Sequence, residues 1–173
     1  MDTPALQAGS GDRANMSLLV VDDDPFIVRL LEIELVAAGY DVRTAGNGKQ
    51  ALELATERCP DLVLADVMMP NMDGYAVLAA LRESPGTRTI PVIFVTAMNA
   101  DENEQLGLDL GAVDYITKPI KRNVVLARIK THIELKAAAD FLVDKAQYLE
   151  TEVARRSQEI EAIQDVTILA MAS

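Results

Sequence analysis

The sequence is poor in residues that anchor several common architectures: its 173 residues include no tryptophan, one cysteine and one histidine. A lone thiol, Cys59, cannot close an internal disulfide, which fits a reducing compartment. It precedes Pro60 at a predicted helix end and reads as a packed or tolerated thiol, not a nucleophile. No apolar run approaches the ~20 residues a membrane helix needs. Residues 1–15 carry Pro4, Gly9, Ser10 and Gly11 without an apolar core segment, and read as a disordered leader, not a signal peptide. These absences predict a cytoplasmic protein with no membrane partner. Basic charge is also scarce. Residues 1–120 hold 8 Lys and Arg against 19 Asp and Glu, the whole of the net −11, whereas residues 121–173 hold 8 of each. An acidic body without a basic stripe does not grip a phosphate backbone, so no nucleic-acid partner is expected. Acidity of this kind also serves plain solubility.

Half of the residues are apolar, enough for one domain with a core and a smaller second part. Strand and helix patterns alternate. Predicted strands are Ser17–Asp22, Asp41–Ala45, Asp61–Asp66, Ile90–Thr96 and Val113–Thr117. Predicted helices are Pro25–Ala38, Lys49–Arg58, Gly74–Glu83, Asp101–Leu110 and a long segment from about Lys121. The first helix has apolar spacing through Ile27, Leu30, Leu31 and Leu35, with Asp24 as N-cap and Gly39 as its stop. Strands and helices in alternation predict an α/β fold, a doubly wound parallel sheet covered on both faces. Polar sites in such sheets lie beyond the carboxyl ends of the strands, where strand order reverses. In the flavodoxin-like (βα)5 order, 2-1-3-4-5, that point lies between the first and third strands, which end in Asp22/Asp23 and Asp66.

Four landmarks thus converge on one sheet edge: Asp22-Asp23-Asp24, Asp66, Thr96 and Lys118-Pro119. Clustered carboxylates repel one another unless a cation joins them. Hard oxygen ligands with room for water suit Mg²⁺. A carboxylate can also act as a nucleophile and form an acyl phosphate. Lys118 can neutralise phosphate oxygens, and the Thr96 hydroxyl can donate to one of them. Other residues have plainer roles. Asp24 and Asp73 read as helix caps. Met68, Met69 and Met72 read as loop packing, because thioethers are soft and the site calls for hard oxygen. His132 falls in a helix far from the acids and reads as a surface or interface residue.

Leu19-Val20-Val21-Asp22-Asp23-Asp24-Pro25, Asp66-Val67-Met68-Met69-Pro70-Asn71-Met72-Asp73-Gly74, Val95-Thr96-Ala97 and Tyr115-Ile116-Thr117-Lys118-Pro119 resemble the motifs of response-regulator receiver domains of two-component signalling. The match covers residues 16–135 in the right order and spacing. The resemblance implies that Asp66 is the phosphoacceptor, served by a sensor histidine kinase or a phosphotransfer protein. It implies a Mg²⁺ cofactor held by Asp66, by Asp23 directly, by Asp22 largely through water, and by the backbone carbonyl of Met68. Thr96 and Lys118 would hold the phosphoryl group, Tyr115 would turn inward with Thr96 as the switch, and the Lys118–Pro119 bond would be cis. Tyr115 could also be plain packing. No enzyme activity is implied beyond the chain's own phosphorylation and dephosphorylation.

Residues 120–173 contain neither Pro nor Gly. A heptad register runs through Leu135, Ala139, Leu142, Ala146, Leu149, Val153, Arg156, Ile160, Ile163, Thr167 and Ala170. It predicts a coiled-coil seam of roughly 50 Å over residues 136–173 and a homodimer, with Arg156 interrupting the stripe. The alternative is a helix packed on its own domain. Leu149–Ile160 and Ile163–Ser173 resemble the linker that joins receivers to HD-GYP cyclic-di-GMP phosphodiesterase domains. Neither a His-Asp pair nor a Gly-Tyr-Pro signature occurs, so the expected output domain is absent from this sequence. A GGDEF diguanylate cyclase output, or an adaptor module with vestigial phosphorylation, are the competing expectations.

Overall fold

A computed structural model describes residues 16–97 and 101–172. Its order is β1 (Ser17–Val21), α1 (Pro25–Ala37), β2 (Asp41–Ala45), α2 (Gly48–Glu57), β3 (Leu62–Asp66), α3 (Gly74–Glu83), β4 (Val92–Thr96), α4 (Asp101–Asp109), β5 (Asp114–Thr117) and α5 (Arg122–Met171). All strand pairs are parallel, in one sheet ordered β2-β1-β3-β4-β5. This is the flavodoxin-like order expected from the alternation. The expected leader, residues 1–15, lies outside the described residues.

The strands read as unbroken apolar runs because each is covered on both faces. In β1, Leu19 and Val21 join a core with Ala51, Ala55, Val77, Leu78 and Leu81 of α2 and α3. Leu18 and Val20 point the other way, into a core with Leu31 and Leu35 of α1 and Val125 and Ile129 of α5. Phe94, Leu64 and Ile93 are fully buried at the centre. Burying each such side chain contributes about 1.5–3 kcal/mol before conformational entropy is charged against it.

Caps fix where the helices begin. Asp24 accepts from Phe26 N at 2.9 Å, Asn47 from Gln50 N at 2.8 Å, and Asp73 from Ala76 N at 2.8 Å. α1 ends in a Schellman arrangement: Gly39 takes φ 96°, its N–H donates to Val36 O at 3.0 Å, and Tyr40 N–H donates to Leu35 O at 3.1 Å. The fourth strand starts at Val92, later than the apolar pattern suggested, because Pro91 has no N–H to give to the ladder. Arg82, at the end of α3, donates to Ile90 O and Gly111 O, both at 2.9 Å, and ties that helix to the entry of β4 and the exit of α4.

The described chain separates into two compact units between Ile133 and Glu134. The second is a single helical stretch, about 57 Å long over Glu134–Met171 at 1.5 Å per residue. It carries ion pairs between successive turns: Lys136 with Asp140 at 2.6 Å, and Arg155 with Glu152 at 2.6 Å and Glu159 at 2.5 Å. Among the described residues, no helix is long and apolar enough to cross a membrane.

Candidate phosphoacceptor and metal site

The register places the acids before any side chain is considered. β1 and β3 are neighbours with Val21 opposite Ala65, so Asp22 and Asp66 leave adjacent strands at the same level. β4 and β5 continue that edge, with Thr96 opposite Thr117, and Lys118 N–H donates to Thr96 O at 2.8 Å. Asp22, Asp66 and Thr96 are buried; Asp23 is exposed. One carboxylate oxygen from each of Asp22, Asp23 and Asp66 falls within 4.8 Å of the other two.

The two buried carboxylates are held alike. Asp22 Oδ1 accepts from Asp24 N at 2.9 Å and Asp66 Oδ1 accepts from Met68 N at 3.2 Å. Their Oδ2 atoms both face the Lys118 ammonium, at 2.9 Å and 3.4 Å respectively. Burial, and then the Asp22 charge, push the Asp66 carboxyl above the ordinary carboxylate value, against the pull of the Met68 N–H and Lys118. Burial alone would lower the Lys118 ammonium, but its bond to Asp22 and the two facing charges outweigh that and raise it. With three carboxylates ionised, one ammonium leaves the cluster with a net charge of −2, two positive charges short of neutrality. The donors are all hard oxygens, and the residues therefore fit a hard divalent cation.

Close backbone approach shapes the loop after β3. A Cβ on Gly74 would stand 2.4 Å from Asp66 O, and Gly74 N–H donates to Val67 O at 3.0 Å. Met69 is buried and Met72 is partly buried against the α2–α3 core, so both pack as their apolar character implies. Met68 does not: its side chain is 63% exposed beside the acids.

Tyr115 lies inward, 9% exposed, with its ring 5.3 Å from that of Phe94 and its hydroxyl 3.3 Å from that of Tyr75. The Lys118–Pro119 bond is cis. His132 departs from its reading as a surface or interface residue: its Nε2 lies 2.9 Å from Asp114 Oδ2, and Arg128 reaches Asp114 Oδ1 at 2.5 Å. Burial raises the Asp114 carboxyl, but these two hydrogen bonds, the Tyr115 N–H and the Arg128 charge together hold the group below its ordinary value. The side chains of the seam, Leu135, Leu142, Leu149, Val153, Ile160 and Ile163, are all exposed. Sequence patterns gave no sign of Arg82, Tyr75 or Gly107, whose partners lie outside their own helices; only the presence of a glycine inside a helical run could have flagged Gly107.

A family model for the response regulator receiver domain matches residues 18–130, and the chain belongs to that family. It is the receiver domain of a two-component response regulator, and that fold is not in itself a catalytic enzyme. Among curated relatives, the chain is 42% identical over 162 residues to a "Probable cyclic di-GMP phosphodiesterase" of Vibrio cholerae serotype O1, covering 94% of this chain and 36% of that protein. It is 44% identical over 125 residues to response regulator PleD of Caulobacter vibrioides, covering 72% of this chain and 28% of that protein. The chain thus spans about a third of the length of these two relatives. Of solved structures, a putative response regulator of Chloroflexus aurantiacus superposes with TM-score 0.67 at 35% identity, covering 69% of this chain and 98% of the other. Chemotaxis protein CheY4 of Vibrio cholerae superposes with TM-score 0.65 at 30% identity, covering 67% and 97%.

Proposed function

We propose that Asp66 accepts a phosphoryl group from the phosphohistidine of a sensor histidine kinase, or of a phosphotransfer protein, and that the change is passed on through α5. The observation that carries this reading is the Lys118 ammonium held at 2.9 Å from Asp22 and 3.4 Å from Asp66. A lysine shared in this way favours the ionised form of a buried aspartate and stands ready for phosphoryl oxygens. In the transfer, an Asp66 oxygen bonds to phosphorus as the phosphorus–imidazole bond breaks, and the imidazole leaves with the electron pair. Asp22, Asp23, Asp66 and the Met68 carbonyl would hold Mg²⁺, which when bound offsets the charge that develops on the phosphoryl oxygens. Lys118 and Thr96 hold those oxygens, and Tyr115 moves with Thr96 to signal occupancy. The setting is cytoplasmic, with Cys59 reduced.

Two features support transmission to an output domain. α5 runs from Arg122 to Met171 without interruption. Its heptad positions Leu135, Leu142, Leu149, Val153, Ile160 and Ile163 are exposed, as a dimer seam requires. Residues 16–135 act as the receiver and residues 136–173 as the coiled-coil linker of a homodimer. A phosphodiesterase output of the HD-GYP kind is favoured because the likeness to the "Probable cyclic di-GMP phosphodiesterase" of Vibrio cholerae covers 94% of the chain, tail included. The test is beryllofluoride with Mg²⁺, a mimic of the phosphoryl group. Wild-type chain should bind it and Asp66→Asn should not; equal binding by both would remove Asp66 from the role.

A further inference from the structure

Gly107 lies inside α4 and is buried. Glycine is the poorest helix former after proline, because it loses the most backbone freedom on ordering. The structure shows what the missing side chain makes room for. A Cβ on Gly107 would stand 1.7 Å from Tyr115 Oη, 2.6 Å from Cζ and 2.8 Å from Cε2. The phenol therefore sits in a notch in α4. Its ring is backed by Phe94 at 5.3 Å, and its hydroxyl meets Tyr75 Oη at 3.3 Å.

Phe94 leads back to the phosphoacceptor. Its ring is also 5.3 Å from that of Tyr75, edge to face. A Cβ on Gly74 would stand 3.0 Å from Phe94 Cε1 and 2.4 Å from Asp66 O. Two glycines thus bracket one aromatic stack, Gly74 at the Asp66 end and Gly107 at the α4 end. No small adjustment admits a methyl group at 107, since the obstructing ring is packed between Phe94 and the helix. Either the ring rotates out about χ1 or α4 moves away.

We propose that Gly107 is the positioning residue of the Tyr115 switch. Its bare Cα seats the phenol against α4, and the size of residue 107 sets the balance between inward and outward Tyr115. The proposal rests on Tyr115 being the element that responds to Asp66. It adds that the response is gated from α4, by a residue that touches neither the phosphoryl group nor the metal ligands.

The test uses the full chain labelled with 3-fluorotyrosine and read by ¹⁹F NMR, with beryllofluoride and Mg²⁺ as the probe. The four tyrosine resonances are assigned by conservative Phe variants. Gly107→Ala should move the Tyr115 resonance toward that of an exposed tyrosine and leave Tyr40 and Tyr148 in place. If the inward population falls to a tenth, beryllofluoride affinity should fall about tenfold. In a Tyr115→Ala background the same Gly107→Ala change should alter that affinity by less than about twofold, because no ring is left to displace. A wild-type Tyr115 resonance and affinity in Gly107→Ala would overturn the proposal. So would an equal loss of affinity in both backgrounds, which would place the effect in α4 itself. Failure of the Asp66 reading looks different: wild type and Asp66→Asn would bind the probe alike, while the Tyr115 resonance in Gly107→Ala would still decide whether the notch holds the ring.

Discussion

Asp22 and Asp66 are held as a pair: each gives one carboxylate oxygen to the backbone N–H two residues on, and each turns the other toward Lys118, at 2.9 Å and 3.4 Å. The lysine is nearer Asp22. Asp66 is thus the less compensated of two buried acids, and burial and its neighbour raise its carboxyl. Added positive charge beside the phosphoacceptor candidate would offset that push.

A stability measurement can read that imbalance. A carboxyl raised in the folded state contributes stability that is present below its unfolded value and is lost as pH rises through the folded one. At neutral pH, ionised Asp66 therefore weakens the fold. With divalent cations removed, Asp66→Asn should melt higher than wild type at pH 7, and the gap should narrow as pH falls toward about 4. Adding Mg²⁺ should raise the wild-type melting temperature more than that of Asp66→Asn, since a ligand stabilises the state that binds it. A lower melting temperature for Asp66→Asn at pH 7 without Mg²⁺ would contradict the electrostatic account.

Arg82 supplies a second check, away from the acids. Its guanidinium satisfies the Ile90 and Gly111 carbonyls, both at 2.9 Å, so Arg82→Ala leaves two acceptors without their charged donor. Urea unfolding should show a loss of about 1–3 kcal/mol. Mg²⁺ affinity should stay at the wild-type value, because none of the residues that Arg82 holds belongs to the metal cluster. Full stability in Arg82→Ala would show that the strut is dispensable.

The seam predicts self-association. Leu142 and Leu149 are exposed in the single chain and sit at heptad positions. In a coiled coil, a charge at such a position is desolvated with no partner. Leu149→Asp should weaken the dimer at least about tenfold, a change of about 1.4 kcal/mol, by sedimentation equilibrium. A wild-type chain that stays monomeric at high concentration would remove the coiled coil from the account.

The fold was legible because strands buried on both faces leave continuous apolar runs, and because caps depend on residue type: Asp24, Asp73 and Gly39 all sit where their chemistry alone puts them. The acidic cluster was legible because each member follows a strand. Contacts between distant elements were not. Nothing local marks His132 as the partner of Asp114, 18 residues earlier, and nothing local tells Arg82 that its acceptors are Ile90 and Gly111. Met68 was misjudged for a related reason. Its apolar side chain resembles those of Met69 and Met72, but the turn after β3 directs it to solvent, beside the acids.

The most direct test of the central claim is the intact mass of the chain after incubation with acetyl phosphate and Mg²⁺. The account predicts one phosphoryl adduct on wild type, lost on chelation of Mg²⁺ before the reaction and absent from Asp66→Asn. A phosphoryl adduct of equal yield on Asp66→Asn, or none on the wild-type chain, would contradict it.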